Sequence, residues 1–128
     1  MFDRRLAVEC LLNIKRALET IETRADVVRD VNDFLCSPDG MLRLDAICMN
    51  LIALGESVKN FDKITKGEIL PHYPEIYWKG VMQIRDKIAH HYYFDVDAEI
   101  VFATIKEDIP CLLPTVEKII QDADKLFF

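Results

Sequence analysis

The stretch Arg85-Asp86-Lys87-Ile88-Ala89-His90-His91-Tyr92-Tyr93 holds two of the chain's three histidines and two of its four tyrosines beside an arginine, an aspartate and a lysine. A guanidinium stabilises phosphate oxygens, and an imidazole titrating near neutral pH moves protons. Together they suffice for metal-free cleavage of RNA, in which the neighbouring 2′-hydroxyl is the nucleophile. Asp86 precedes His90 by four residues, so on a helix its carboxylate could orient or charge the imidazole. Arg85 and Tyr92, seven apart, share a face if the helix continues that far. Arg85 and His90, five apart, diverge by about 140°. Three geometries could still join them: Arg85 reaching around, the helix unwinding near His90, or two copies meeting across a two-fold axis. A purely structural role also fits, with Arg85 paired to a buried carboxylate and Tyr92 packed with its hydroxyl at the rim.

The element that must carry these residues is a helix predicted from Pro74 or Glu75 to His91. Counted at about 100° per residue from Trp78, Met82, Arg85, Ala89 and Tyr92 fall on one arc. Tyr77, Val81, Ile84 and Ile88 extend that arc on its apolar side, while Lys79, Gln83, Asp86, Lys87 and His90 lie on the polar side. Arg85 is thus predicted in the middle of an apolar face, where an unpaired charge is costly. An interface between two copies would supply it with a partner.

The other elements follow from the same periodicity. Asp3 is positioned to cap a helix to about Thr23, with Leu6, Cys10 or Leu11, Ile14, Leu18 and Ile21 on its inner stripe. A weaker helix is expected over 26–35, with Val27, Val28, Val31, Phe34 and Leu35 as its apolar side. Cys36-Ser37-Pro38-Asp39-Gly40 breaks the chain. From Met41 to about Asp62 runs a helix apolar over so wide an arc that contacts on two sides are expected, within a bundle or across a dimer. Gly55 on it implies close approach of a neighbour. Thr65 to Pro74 connects, with His72 and Tyr73 expected to pack or face solvent. Asp95 or Asp97 caps a last helix carrying Ile100, Val101, Ile105, Ile109, Leu112, Leu113, Val116, Ile119 and Ile120, which Pro110 should kink or divide. The expected fold is all-α: one domain over 1–128, an up-and-down bundle of four main helices plus a short extra one.

At 128 residues, 51% hydrophobic and 30% charged, the chain suits one globular unit. A formal net charge of −6 argues against a generic nucleic-acid coat or a polybasic membrane binder, so any phosphate contact must be local. Cys10, Cys36, Cys48 and Cys111 form no CxxC pair and have no histidine at zinc spacing; Cys10 and Cys48 read as reduced core thiols. No metal and no cofactor are expected. Without a signal-peptide pattern or an apolar span, the expected compartment is the cytoplasm, with no membrane partner.

Arg85-x4-His90-x-Tyr92 resembles the Arg-x4–6-His motif of the HEPN superfamily, in the Arg-x4-His-x-Tyr form of its HepT-like members. Gly55-Glu56, Tyr73-Pro74-Glu75-Ile76-Tyr77-Trp78, Asp95 to Val101 and Glu107-Asp108-Ile109-Pro110 resemble that family's recurring segments, in order. The resemblance is strong over about 41–120 and looser over the first helix. It implies a helical ribonuclease toxin that dimerises and joins two motifs in one cleft. The implied partner is an MNT-type minimal nucleotidyltransferase acting as antitoxin, which transfers AMP from ATP to the motif tyrosine, Tyr92. Arg85 would hold the scissile phosphate, His90 would serve in proton transfer, Asp86 would orient the site, and Tyr92 would help to position RNA. His91 stands where the family often has Gly and also satisfies the looser spacing. The alternative is a non-catalytic helical subunit that docks a nucleotidyltransferase.

Overall fold

Asp3 opens the first helix, α1 (Arg4–Ala25), its Oδ1 accepting from the Leu6 N–H at 3.1 Å. Such a cap satisfies one of the amide donors left without a partner at a helix start and contributes about 1 kcal/mol. The computed structural model describes residues 2–88 and 98–127. Cys10, Leu11, Ile14, Leu18 and Ile21 are buried on the predicted stripe. Leu6, in the first turn, lies outside it and is 46% exposed.

The helix expected over 26–35 shrinks to one turn, α2 (Asn32–Leu35). Its acids explain the loss. Asp33 Oδ2 accepts from the Arg29 and Asp30 amides at 2.6 and 3.2 Å, and Asp30 Oδ1 accepts from the Asn32 amide at 2.8 Å. Side chains thereby take donors that a longer helix would have used. The same amides hold the Asp33 carboxyl below its usual range. Val28 and Phe34 are buried, whereas Val27 and Leu35 are exposed.

The central helix, α3, runs from Pro38 to Ile64 and so starts earlier than the predicted Met41. Ser37 caps it by accepting from the Gly40 N–H at 3.0 Å, and Pro38 sits in the first turn, where its missing donor is harmless. A Cβ at Gly40 would collide with the Asp33 carbonyl oxygen, so this glycine lets α2 close on α3. The helix ends through Lys66 and Gly67, both left-handed, with the Gly67 N–H returning to the Asp62 carbonyl at 2.9 Å. Leu44, Ile47, Cys48, Leu51, Leu54, Val58 and Phe61 form its buried side.

A 3-10 turn, Leu70–His72, leads to Tyr73, whose ring is buried and whose hydroxyl donates to Asp122 Oδ2 at 2.9 Å. The predicted helix from Pro74 or Glu75 begins only at Trp78. It is α4 (Trp78–Met82), interrupted at Gln83 (φ −85°, ψ −4°), and residues 84–88 are helical again and are labelled α5. The Trp78 indole donates to the Tyr73 carbonyl at 2.9 Å and fixes the entry.

The last helical stretch comprises α6 (Ala98–Ala103), a π turn (Thr104–Asp108) and α7 (Ile109–Phe127). Pro110 has no N–H for the ladder, and the turn before it widens so that the Ile109 amide bonds the Thr104 carbonyl. Pro110 therefore produces a π turn, and Pro114 is accommodated inside α7. Val101, Ile105, Ile109, Leu112, Val116 and Ile119 are buried, as their spacing predicts. Lys106 Nζ and Arg43 donate to the Ala25 and Arg24 carbonyls at 3.2 and 3.1 Å, closing the C-terminal end of α1 with positive charge. The described residues are all helix, turn and loop, an all-α bundle built on α1, α3 and the last stretch. Asp95 and Asp97, the expected caps of the last helix, lie outside the described residues.

Candidate functional site

Gly55 determines where the site-bearing segment sits. A Cβ there would lie 3.1 Å from the Val81 carbonyl oxygen, 3.4 Å from the Arg85 amide nitrogen and 3.7 Å from Ile84 Cβ. The backbone of α4 and α5 rests directly on α3 at this point. The expected close approach is present, and its consequence is chemical: the next residue, Glu56, is brought against Arg85. Glu56 Oε1 lies 3.3 Å from Arg85 Nε, and both side chains are about half exposed.

This corrects the expectation that Arg85 occupies the middle of a buried apolar face. The face counted from Trp78 does not continue unchanged past Gln83, and the side turned inward is the one carrying Val81, Ile84 and Ile88. Arg85 emerges at its edge, beside α3, where water and the Glu56 carboxylate reach it together. An arginine serving only to neutralise a buried acid would be enclosed with it; this one is not.

Asp86 points elsewhere. With Lys87 it lines a groove of about 880 Å³ between α4, α5 and the π turn, whose floor includes Ile84, Ile88 and Ile109. Tyr77 stands at this groove and is 73% exposed. Arg85 and Asp86, adjacent in sequence, thus serve different surfaces. His90, His91 and Tyr92 lie outside the described residues.

The outward face of α3 is only half legible from its sequence. Its wide apolar surface does divide between two environments: one side is core, while Leu42 and Met49 remain 67% and 68% exposed. Helical spacing continues the same line through Ala53, Glu56, Lys59, Asn60 and Lys63, all exposed. Glu56, Ser57, Lys59, Asn60 and Lys63 line a shallow groove of about 410 Å³. The face therefore exposes Leu42 and Met49, with Asp45 between them, in its N-terminal half and Lys59, Asn60 and Lys63 in its C-terminal half, with the Glu56–Arg85 pair at the junction. Reading charges along one helix at a time misses Lys59 and Lys63. The signal that could find them is their three- and seven-residue spacing from Glu56.

The cysteines separate by burial. Cys10 and Cys48 are core thiols as expected, the first donating to the Ser57 carbonyl at 3.4 Å, whereas Cys36 and Cys111 are exposed. Burial pushes the Cys10 thiol up, and burial together with the Asp45 charge pushes Cys48 up to about 11. Among the described residues no group of three or more His, Cys, Asp and Glu could hold a metal ion. None of their helices is long and apolar enough to cross a membrane.

Comparison with known proteins gives a consistent result. Residues 11–119 match the family described as "Ribonuclease HepT-like". A Thermococcus cleftensis protein named "Probable ribonuclease HepT" is 35% identical over 111 residues, covering 85% of this chain and 91% of its own. "Putative RNase MJ0127" of Methanocaldococcus jannaschii is 29% identical over 110 residues, covering 83% of this chain and 85% of its own. No solved structure matches the chain.

Proposed function

The chain belongs to the HepT-like ribonuclease family, and from that premise we propose that it is a metal-independent endoribonuclease toxin with a site composed across a homodimer. In this reading Arg85 holds the scissile phosphate, its guanidinium offering parallel donors to two phosphate oxygens. The 2′-oxygen attacks the adjacent phosphorus as its proton departs, and the 5′-oxygen leaves as it gains a proton. The products are a 2′,3′-cyclic phosphate and a free 5′-hydroxyl. His90 serves in the proton transfer, with His91 as its competitor for that role, and Asp86, four residues before His90 and on a different surface from Arg85, orients the site through that imidazole.

The observation that carries the reading is the half-exposed guanidinium of Arg85, which stands at the surface beside the Glu56 carboxylate. A phosphate can reach it without unfolding anything. The homodimer draws support from the exposed Leu42 and Met49 on the face that leads to Arg85, and from the angle of about 140° between Arg85 and His90 if one regular helix carries both. The motif resemblance supports the regulatory part: an MNT-type nucleotidyltransferase antitoxin that neutralises the site by placing AMP on Tyr92.

Purified protein is tested on RNA in EDTA, alongside Arg85→Ala and His90→Ala. The expected result is cleavage by the unsubstituted protein and its loss in both variants. Cleavage that survives both substitutions removes the assignment, and folded protein that leaves RNA intact favours the non-catalytic docking subunit.

A further inference from the structure

A single anchored phosphate gives a passing RNA strand little affinity, and a chain with net charge −6 must gather its positive charge locally. The C-terminal half of α3 does so. Lys59 and Lys63 are four apart and therefore neighbours on one face, with Asn60 between them and Glu56 one turn before. Neither lysine is ion-paired among the described residues. Among the described residues the acid lining the groove is Glu56, whose carboxylate already faces Arg85. Asp62, three residues from Lys59 and about 100° from Lys63 around the helix, does not line the groove. Beside the Glu56–Arg85 pair the groove thus offers two ammonium groups and a neutral amide, on an otherwise acidic protein.

Resting on the ribonuclease reading, we propose that this groove is a subsite for the RNA backbone, with Lys59 and Lys63 binding phosphates that flank the one held by Arg85. Single-stranded RNA is the ligand these groups fit. The ammonium groups recognise phosphate without reading a base, and Asn60 offers an amide to ribose or base edges. The groove is shallow and open, as a passing strand requires, and lacks the enclosure a small nucleotide would need. Glu56, at its head, would repel any phosphate that failed to displace it from Arg85, which favours strands engaging several positions at once.

The test uses the full chain and a single-stranded RNA bearing 2′-O-methyl groups, which removes the nucleophile and isolates binding. Affinity is measured by fluorescence anisotropy over a range of salt for the unsubstituted protein, Lys59→Gln/Lys63→Gln, Lys59→Arg/Lys63→Arg and a matched-charge control, Arg5→Gln/Arg16→Gln on α1. Removing one lysine–phosphate interaction should make the log–log salt dependence shallower by about 0.7, so the glutamine pair should be shallower by about 1.4. The arginine pair and the α1 control should keep the original slope. An unchanged slope in the glutamine pair, an equal change in the α1 control, or no RNA binding by the unsubstituted protein overturns the subsite. Cleavage of ordinary RNA is scored separately: binding through these lysines without cleavage retains the subsite and rejects the ribonuclease reading.

Discussion

Glu56 and Arg85 meet at 3.3 Å because Gly55 lets the backbone around Arg85 settle on α3. One glycine thus determines both where the guanidinium stands and which carboxylate shares it. Since both side chains are about half exposed, solvent weakens their attraction, and such pairs contribute about 1 kcal/mol or less. Glu56→Gln should therefore change the urea unfolding free energy by less than about 1 kcal/mol. It should also tighten RNA binding, because the carboxylate competes with phosphate for Arg85. Weaker RNA binding in a stably folded variant would show that Glu56 helps to present the guanidinium.

Gly55 should be far less tolerant. A leucine there has no space between α3 and the Val81 carbonyl, so α4 and α5 must move away. Overpacking of this kind costs about 1–3 kcal/mol, which denaturant unfolding would read. Cleavage should fall further than the loss of folded protein explains, since Arg85 moves with the segment. Unchanged stability would mean that the close approach is dispensable.

Thiol reactivity checks the core directly. Cys36 and Cys111 are exposed, while Cys10 and Cys48 are buried with thiols pushed up, so little thiolate forms at neutral pH. A thiol reagent should label two cysteines in the folded protein and four after denaturation. Mass mapping should place the fast label on Cys36 and Cys111.

Tyr73 gives a pH dependence with a defined sign. Burial, followed by the hydrogen bond to Asp122, raises its phenol well above the usual tyrosine value. A pKa raised on folding means that the protonated phenol is favoured in the native state. Its contribution is complete below the unfolded value of about 10 and declines as pH rises from there toward the folded one. Tyr73→Phe should thus be less stable at pH 7 by about 1.5–3 kcal/mol, the range for a hydrogen bond to a charged group. The gap between the two proteins should narrow above about pH 10. A constant gap across that range would rule out the Tyr73 proton as its source.

How much of the molecule can be read from its residues differs by element. The stripes of α1 and the last helix are long, regular and close to their observed burial, because one apolar face against one core leaves a clean 3.6-residue repeat. The 26–35 region defeats that method because Asp30 and Asp33 compete for backbone donors, a local effect invisible to apolar spacing. Helical phase puts Arg85 on the wrong surface for a related reason: it is carried across Gln83, where the chain departs from regular geometry. Glu56 meets Arg85 only through tertiary contact, since nothing in the α4–α5 sequence names its neighbour on α3. Gly55 is the one residue whose sequence context points to that contact.

The most direct measurement of the central claim is complementation between two inactive proteins. Arg85→Ala and His90→Ala are purified separately and then co-refolded so that their chains mix, and RNA cleavage in EDTA is followed. If Arg85 of one copy works with His90 of the other, each mixed dimer regains one intact site, and about a quarter of the unsubstituted activity should return at statistical mixing. Two inactive variants that stay inactive in demonstrably mixed dimers would contradict a site shared between chains.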